Sequence, residues 1–223
     1  MISNGKKLIN RHPELARGQS LPAENGESRT PDLADIDASA WTELETAAAS
    51  PQSGFRYLNL CSVDSEARPQ ARMVVLRHAD RSMRVLEFHT DTRSPKWLEL
   101  AANPHVTVLG YCAQRRVQLR LQGVIELHGP GSDIATLAWQ KLPTWTRGTY
   151  AGGPPGDERA FEAIEATAPS ESAGETGGKE HFGVVTFRAA ALDWFQLRRQ
   201  DNCRAKFTYD ATGTRTACLW LNP

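Results

Sequence analysis

Apolar and polar residues alternate in short runs along most of the chain, separated by turn residues. Eight such runs predict strands: Phe55–Cys61, Ala71–His78, Met83–His89, Val106–Cys112, Val117–Leu127, His181–Phe187, Leu192–Leu197 and Ala217–Leu221. Helical spacing is rarer. It marks Ala38–Ala49, where Asp35 or Asp37 can cap, Ser94–Ala102 with Ser94 as cap, and Ser132–Leu142 after Gly131. Many short strands at even spacing with few helices predict a mainly β fold, a sandwich or a β-barrel with peripheral helices. No internal repeat or heptad pattern is visible.

Two stretches lack this patterning. Residues 1–32 and 152–180 are rich in Gly, Pro, Ser and charge, and predict a disordered N-terminal segment and a flexible insert within a single domain over 33–223. The insert also explains the charge. The 223 residues hold 26 Lys+Arg against 26 Asp+Glu, which excludes a polycation. Residues 153–180 carry seven acids and two bases, so the rest of the chain sums to +5. That excess lies in residues 68–120, with ten bases against four acids, where an anionic ligand is steered. No apolar run approaches the ~20 residues of a membrane span, and the start has no apolar stretch of a secretory leader. The four cysteines, Cys61, Cys112, Cys203 and Cys218, are widely separated and read as buried, reduced thiols of a cytoplasmic protein.

Candidate chemistry gathers in two segments. In Arg72-Met-Val-Val-Leu-Arg77, strand alternation sets Arg72, Val74 and Leu76 on one face and Met73, Val75 and Arg77 on the other. An arginine in line with apolar residues needs a counter-charge. In Phe88-His-Thr-Asp-Thr-Arg-Ser-Pro-Lys96 a strand ends at Thr90 and a helix begins near Ser94. A hydroxyl, free backbone N–H groups and Lys96 thereby meet at one helix N-terminus, a ready phosphate site. The alternative is that Arg72 and Arg77 pair with carboxylates and Ser94 is only a cap. No nucleophile elbow, phosphate loop or zinc motif competes. Arg115 and Arg116 face opposite ways on a strand and make no nucleic-acid surface.

In this order and spacing, Arg72–Arg77, Phe88-x-Thr90-x-x-x-Ser94-x-Lys96, Asn103-Pro104-x-Val106 and Val117-Gln-Leu-Arg-Leu-Gln-Gly123 resemble the flavin-binding half of the pyridoxamine 5′-phosphate oxidase family. The likeness covers residues 40–145 and resumes from 182 to the end. It implies an FMN-binding split barrel and a homodimer with two flavins at its interface. Residue by residue, it implies that Arg72, Lys96 and Ser94 bind the FMN phosphate. Within the first motif, which also contains Met73 and ends at Arg77, Val74, Val75 and Leu76 line the flavin together with Thr90. Gln118 addresses the ring from the other subunit. Trp194, and Arg204 ten residues on, match the family's flavin-contacting Trp and Arg.

Departures lie mostly in the substrate half. The family's Arg between Ser and Lys is Pro95 here, with Arg93 near enough to compensate, and its Lys closing the first motif is Arg77. The Arg and His that flank the pyridoxal ring fall on Gln200 and Asn202. The substrate-phosphate cluster falls on Ala138, Leu142 and Thr146, and Ala and Leu cannot hold a phosphate dianion. Trp139, Trp145 and Tyr150 suggest a more apolar pocket. The expectation is an FMN-dependent oxidoreductase acting on a substrate other than pyridoxamine phosphate. The alternatives are a genuine pyridoxamine or pyridoxine 5′-phosphate oxidase whose contacts come from Arg77, Arg198 or Arg199, and a flavin-binding module without turnover.

Overall fold

A computed structural model describes residues 32–157 and 177–223. The expected disordered segment 1–32, except its last residue, and residues 158–176 of the expected insert lie outside the described residues. The described elements run α1 (Leu33–Ala49), β1 (Tyr57–Val63), β2 (Pro69–Asp80), β3 (Val85–Asp91), α2 (Pro95–Ala102), β4 (His105–Cys112), β5 (Val117–His128), α3 (Asp133–Gln140), α4 (Thr144–Gly148), β6 (Phe182–Gln196), β7 (Cys203–Tyr209) and β8 (Arg215–Leu221). All eight strands form one antiparallel sheet in the order β3-β2-β1-β4-β5-β6-β7-β8, and an extra β3–β6 pairing closes the first six into a barrel. None of the described helices is long and apolar enough to cross a membrane.

Inward residues of the six barrel strands form the core, among them Leu58, Leu60, Leu76, Leu86, Phe88, Val108, Leu119, Leu121 and Phe187, all buried, and Phe207 of β7 joins them. Helix α1 lays Ile36, Ala40, Trp41, Leu44 and Ala47 on this core. It starts earlier than the Asp35 or Asp37 caps predict, because Asp32 accepts from Ala34 N at 2.7 Å. Its last carbonyls are satisfied by a side chain: Arg56 Nη1 donates to Ala48 O and, at 2.7 Å, to Leu76 O on β2.

The strand reading changes in two places. The runs 181–187 and 192–197 are one strand, β6, bent by an irregularity opposite Gln122 and Gly123, where Gly123 faces Ala189 and Gln122 faces Ala191. A Cβ on Gly123 would overlap Arg188 O, so this bend depends on glycine. Strand β7 was not expected, although Cys203, Ala205, Phe207 and Tyr209 alternate with Arg204, Lys206 and Thr208. The thiols are all unpaired, but only Cys112 is buried, and Cys218 on β8 is exposed.

Candidate functional site

Strands β2 and β3 pair only from Leu76↔Phe88 to Asp80↔Val85, with the register shifting at Arg77. Beyond Leu76 they separate. Residues 69–75 of β2 pair with β1 alone, and residues 89–91 of β3 pair with β6 alone. Leu76 N donates to Arg56 O at 2.9 Å, on the β1 side. By alternation the N–H and C=O groups of Met73 and Val75 point the other way, into the split. The chain leaves β3 at Asp91 and turns into α2 beside this free edge.

The turn is held tightly. Ser94 Oγ donates to Asp91 O at 2.6 Å and lies 3.4 Å from Thr90 Oγ1, and both hydroxyls are buried. Asp91 accepts from Arg93 N at 2.8 Å and from its guanidinium at 2.7 Å. Burial works against the Asp91 charge, but the Arg93 bonds outweigh it and hold the carboxyl below its ordinary value. Arg93, expected to compensate for the arginine replaced by Pro95, is paired with Asp91 in this structure.

Arg72 reaches from β2 beneath α2. Its Nη1 donates to Ser62 Oγ at 2.6 Å and its Nη2 to Glu99 Oε2 at 2.5 Å. Lys96, one turn before Glu99, is half-buried. Burial pulls its ammonium below the ordinary lysine value and the Arg72 guanidinium adds to the effect, while the Asp91 and Glu99 charges act against it. Among the described residues Lys96 makes no ion pair, so this cation is crowded, partly dehydrated and without a counter-ion in contact. A phosphate fits such a place, because it would supply the missing charge.

The remaining predicted residues sit elsewhere. Val74 and Leu76 point into the barrel core, so only their backbone borders the split, whereas Val75 and Met73 face outward, Met73 being 66% exposed. Arg77 sits at the register shift with its Nε buried and unpartnered. Gln118 opposes Tyr111 and Phe195, and Phe195 opposes Arg204, so Gln118 and Arg204 share the outer face of the β5-β6-β7 wall. Trp194 lies on the opposite face of that wall, opposite Leu119 and Ala205, in the core. Arg204 is clamped by Asp193, with Nε to Oδ1 at 3.0 Å and Nη2 to Oδ2 at 2.8 Å, and Arg120 adds a third bond at 2.6 Å. Hydrogen bonding to Asp193 raises the Arg204 value. In a six-stranded barrel β2 and β5 are on opposite walls, so one small molecule cannot reach both the split and Gln118 of the same chain.

Sequence reasoning missed Glu99, Ser62 and Asp193. Glu99 follows Lys96 by three positions on a helix and was detectable as a same-face partner. Ser62 and Asp193 are set by cross-strand register, which no local spacing reports. Beside the end of β3, where Phe182 pairs with Asp91, Ala138 and Leu142 join Trp139, Tyr150, Phe182 and Val184 in a second apolar cluster. The Phe182 ring stands 5.0 Å from His89, 5.3 Å from Trp139 and 5.1 Å from Tyr150. Burial pushes the Tyr150 phenol up to about 12.

Comparison with known proteins agrees with this geometry. Residues 38–129 match the family model described as pyridoxamine 5′-phosphate oxidase, FMN-binding domain. A pyridoxine/pyridoxamine 5′-phosphate oxidase of Ralstonia pickettii is 33% identical over 175 residues, 75% of this chain and 81% of the relative. Among solved structures, a pyridoxamine 5′-phosphate oxidase-related, FMN-binding protein from Nostoc punctiforme superposes with a TM-score of 0.68 at 22% identity, covering 83% of this chain and 96% of that one. PhzG from Burkholderia lata, solved with tetrahydrophenazine-1-carboxylic acid, gives a TM-score of 0.63 at 16% identity, covering 87% and 95%. The split between β2 and β3, the cations beneath α2 and these likenesses have one explanation: the chain belongs to the pyridoxamine 5′-phosphate oxidase family, with that family's FMN-binding split-barrel fold.

Proposed function

We propose that the protein is an FMN-dependent oxidoreductase that works as a homodimer, with the flavin phosphate on Arg72 and Lys96 and the ring along the free edge of β2. The observation that carries this reading is Lys96, a half-buried cation beside Arg72 with no carboxylate in contact among the described residues. Bound FMN supplies hydride and electron transfer; the chain supplies binding and orientation. The backbone groups of Met73 and Val75 offer the ring hydrogen-bond partners, and the committed Ser94 and Thr90 hydroxyls fix the turn that presents Lys96 and its N–H. Gln118 and Arg204 address the ring from the second subunit, since their wall faces away from the split of their own chain. Tyr57, Met73, Tyr111 and Leu219, all exposed on the outer face of the sheet, give a second copy an apolar surface. Unpaired thiols suit the reducing cytoplasm.

The substrate differs from pyridoxamine phosphate on this reading, because Ala138 and Leu142 pack in an apolar cluster and offer no donor. The relative from Ralstonia pickettii favours the other possibility, a pyridoxine/pyridoxamine 5′-phosphate oxidase. So does Arg77, whose buried Nε lacks a partner and could meet a substrate anion. Purified protein is expected to be yellow or to take up FMN. Arg72→Ala and Lys96→Ala are each expected to weaken FMN by about 1.5–3 kcal/mol and to leave riboflavin, which lacks the phosphate, unchanged. Unchanged FMN affinity in both variants refutes the phosphate site. Bleaching of the flavin by anaerobic pyridoxamine phosphate at catalytic rates establishes the second substrate reading and removes the first. Reduction by no donor tried leaves a binding module.

A further inference from the structure

Glu99 contradicts a simple cationic cradle. Its Oε2 accepts from Arg72 Nη2 at 2.5 Å and from Ser62 Oγ at 2.5 Å, and Ser62 Oγ accepts from Arg72 Nη1 at 2.6 Å. The three side chains close a triangle on the two terminal nitrogens of the guanidinium. This is not a screened surface bridge, since the Glu99 side chain is 12% exposed and Ser62 is buried. Lys96 and Glu99 are also three residues apart on α2, hence on one face. The site offered to a phosphate therefore holds two cations and one anion, and the anion already occupies one of the cations.

We propose that Glu99 is a built-in competitor for the flavin phosphate, a carboxylate that occupies Arg72 and lowers the protein's preference for FMN over unphosphorylated flavin. The inference rests on the reading that Arg72 and Lys96 receive that phosphate. Two like charges at one guanidinium repel, and in a partly buried site this repulsion is weakly screened. An incoming phosphate must displace Glu99 from Nη2 or lie beside it, and both routes weaken binding. Riboflavin meets neither obstacle. Ser62 reinforces the competitor, because its hydroxyl proton is directed at Glu99 and holds the carboxylate in place.

Glu99→Gln keeps the length and an acceptor for Ser62 and Arg72 but removes the charge. Titrations of flavin fluorescence with the full chain are expected to show FMN binding tightened roughly tenfold in Glu99→Gln, with riboflavin unchanged. Ser62→Ala, a smaller change, is expected to move FMN in the same direction by less, and it serves if Glu99→Gln does not fold. FMN bound equally or more weakly in Glu99→Gln overturns the proposal and makes Glu99 a residue that positions Arg72. Equal tightening of riboflavin overturns it too, since the effect would not run through phosphate. If neither wild type nor variant takes up FMN, the cofactor reading fails and the proposal with it; if wild type binds FMN and Glu99→Gln does not differ, only the proposal fails.

Discussion

Asp37 is the structural carboxylate whose loss should cost most. It is 2% exposed, on the second turn of α1, and accepts from Tyr209 Oη at 2.6 Å on β7, from Arg84 Nη2 at 2.9 Å and from Arg215 Nη1 at 3.3 Å on β8. The Arg84 guanidinium also lies over the rings of Tyr209 and Trp41, 4.7 and 5.2 Å from their centroids. Asp37→Asn keeps the shape and removes the counter-ion of a guanidinium that is itself 12% exposed. Breaking one side of a buried pair costs about 3–5 kcal/mol. The long Arg215 bond to a side chain 29% exposed adds little, so the expected loss lies near the lower end, about 3 kcal/mol. At about 2–4 °C per kcal/mol for a domain of this size, Tm should fall by roughly 6–12 °C. Urea unfolding followed by tryptophan fluorescence measures this directly, because Trp41 Nε1 donates to Tyr209 Oη at 3.0 Å within the same cluster. A loss under about 1 kcal/mol would mean that the stacked Arg84 needs no carboxylate and that α1 is held by apolar packing alone.

Two further outcomes follow from packing and titration. Gly123→Ala should lower stability by about 1–3 kcal/mol, since the new methyl overlaps Arg188 O and the barrel must shift to admit it; an unchanged urea midpoint would show that the bend between β5 and β6 is elastic. Burial raises the phenols of Tyr150, up to about 12, and Tyr209, the latter helped by Asp37. Above the unfolded value of about 10 the unfolded chain releases protons that the folded chain keeps, so stability should fall as pH rises from about 10. Tyr150→Phe should flatten that fall, read as urea midpoints between about pH 9 and 11, and an unaltered slope would place the Tyr150 hydroxyl in water.

Much of the barrel was legible because burial and alternation coincide. Leu58 and Leu60 of β1, or Leu119 and Leu121 of β5, face inward at every second position, and these strands were expected close to their observed places, whereas β7, which also alternates, was missed. Where alternation was broken the reading failed. Ala189-Ala190-Ala191 in β6 looks like a gap between two strands, but it is a bend made possible by Gly123 on the neighbouring strand, a cause 66 residues away in sequence from Ala189. The cofactor residues were named from motif order, which also tells nothing about faces. Trp194 and Arg204 are ten residues apart and were grouped, yet their side chains leave the sheet in opposite directions.

The positive excess of residues 68–120 is largely consumed inside the fold. Of the ten bases in residues 68–120, six are paired within the chain: Arg68 with Asp64, Arg72 with Glu99, Arg84 with Asp37, Arg93 with Asp91, Arg115 with Glu43 and Arg120 with Asp193. Arg81 and Arg116 are exposed in turns. Only Arg77 and Lys96 are both withdrawn from water and without an ion pair among the described residues. They flank the split from β2 and from α2. A net positive count steers an anion toward a surface, but a fixed cation that has lost part of its hydration and gained no partner decides where the anion stops. The excess of bases is therefore mostly internal architecture; on the proposed reading the phosphate meets Lys96 together with Arg72, whose hold on Glu99 sets how readily it takes part, and Arg77 is left for a second anion.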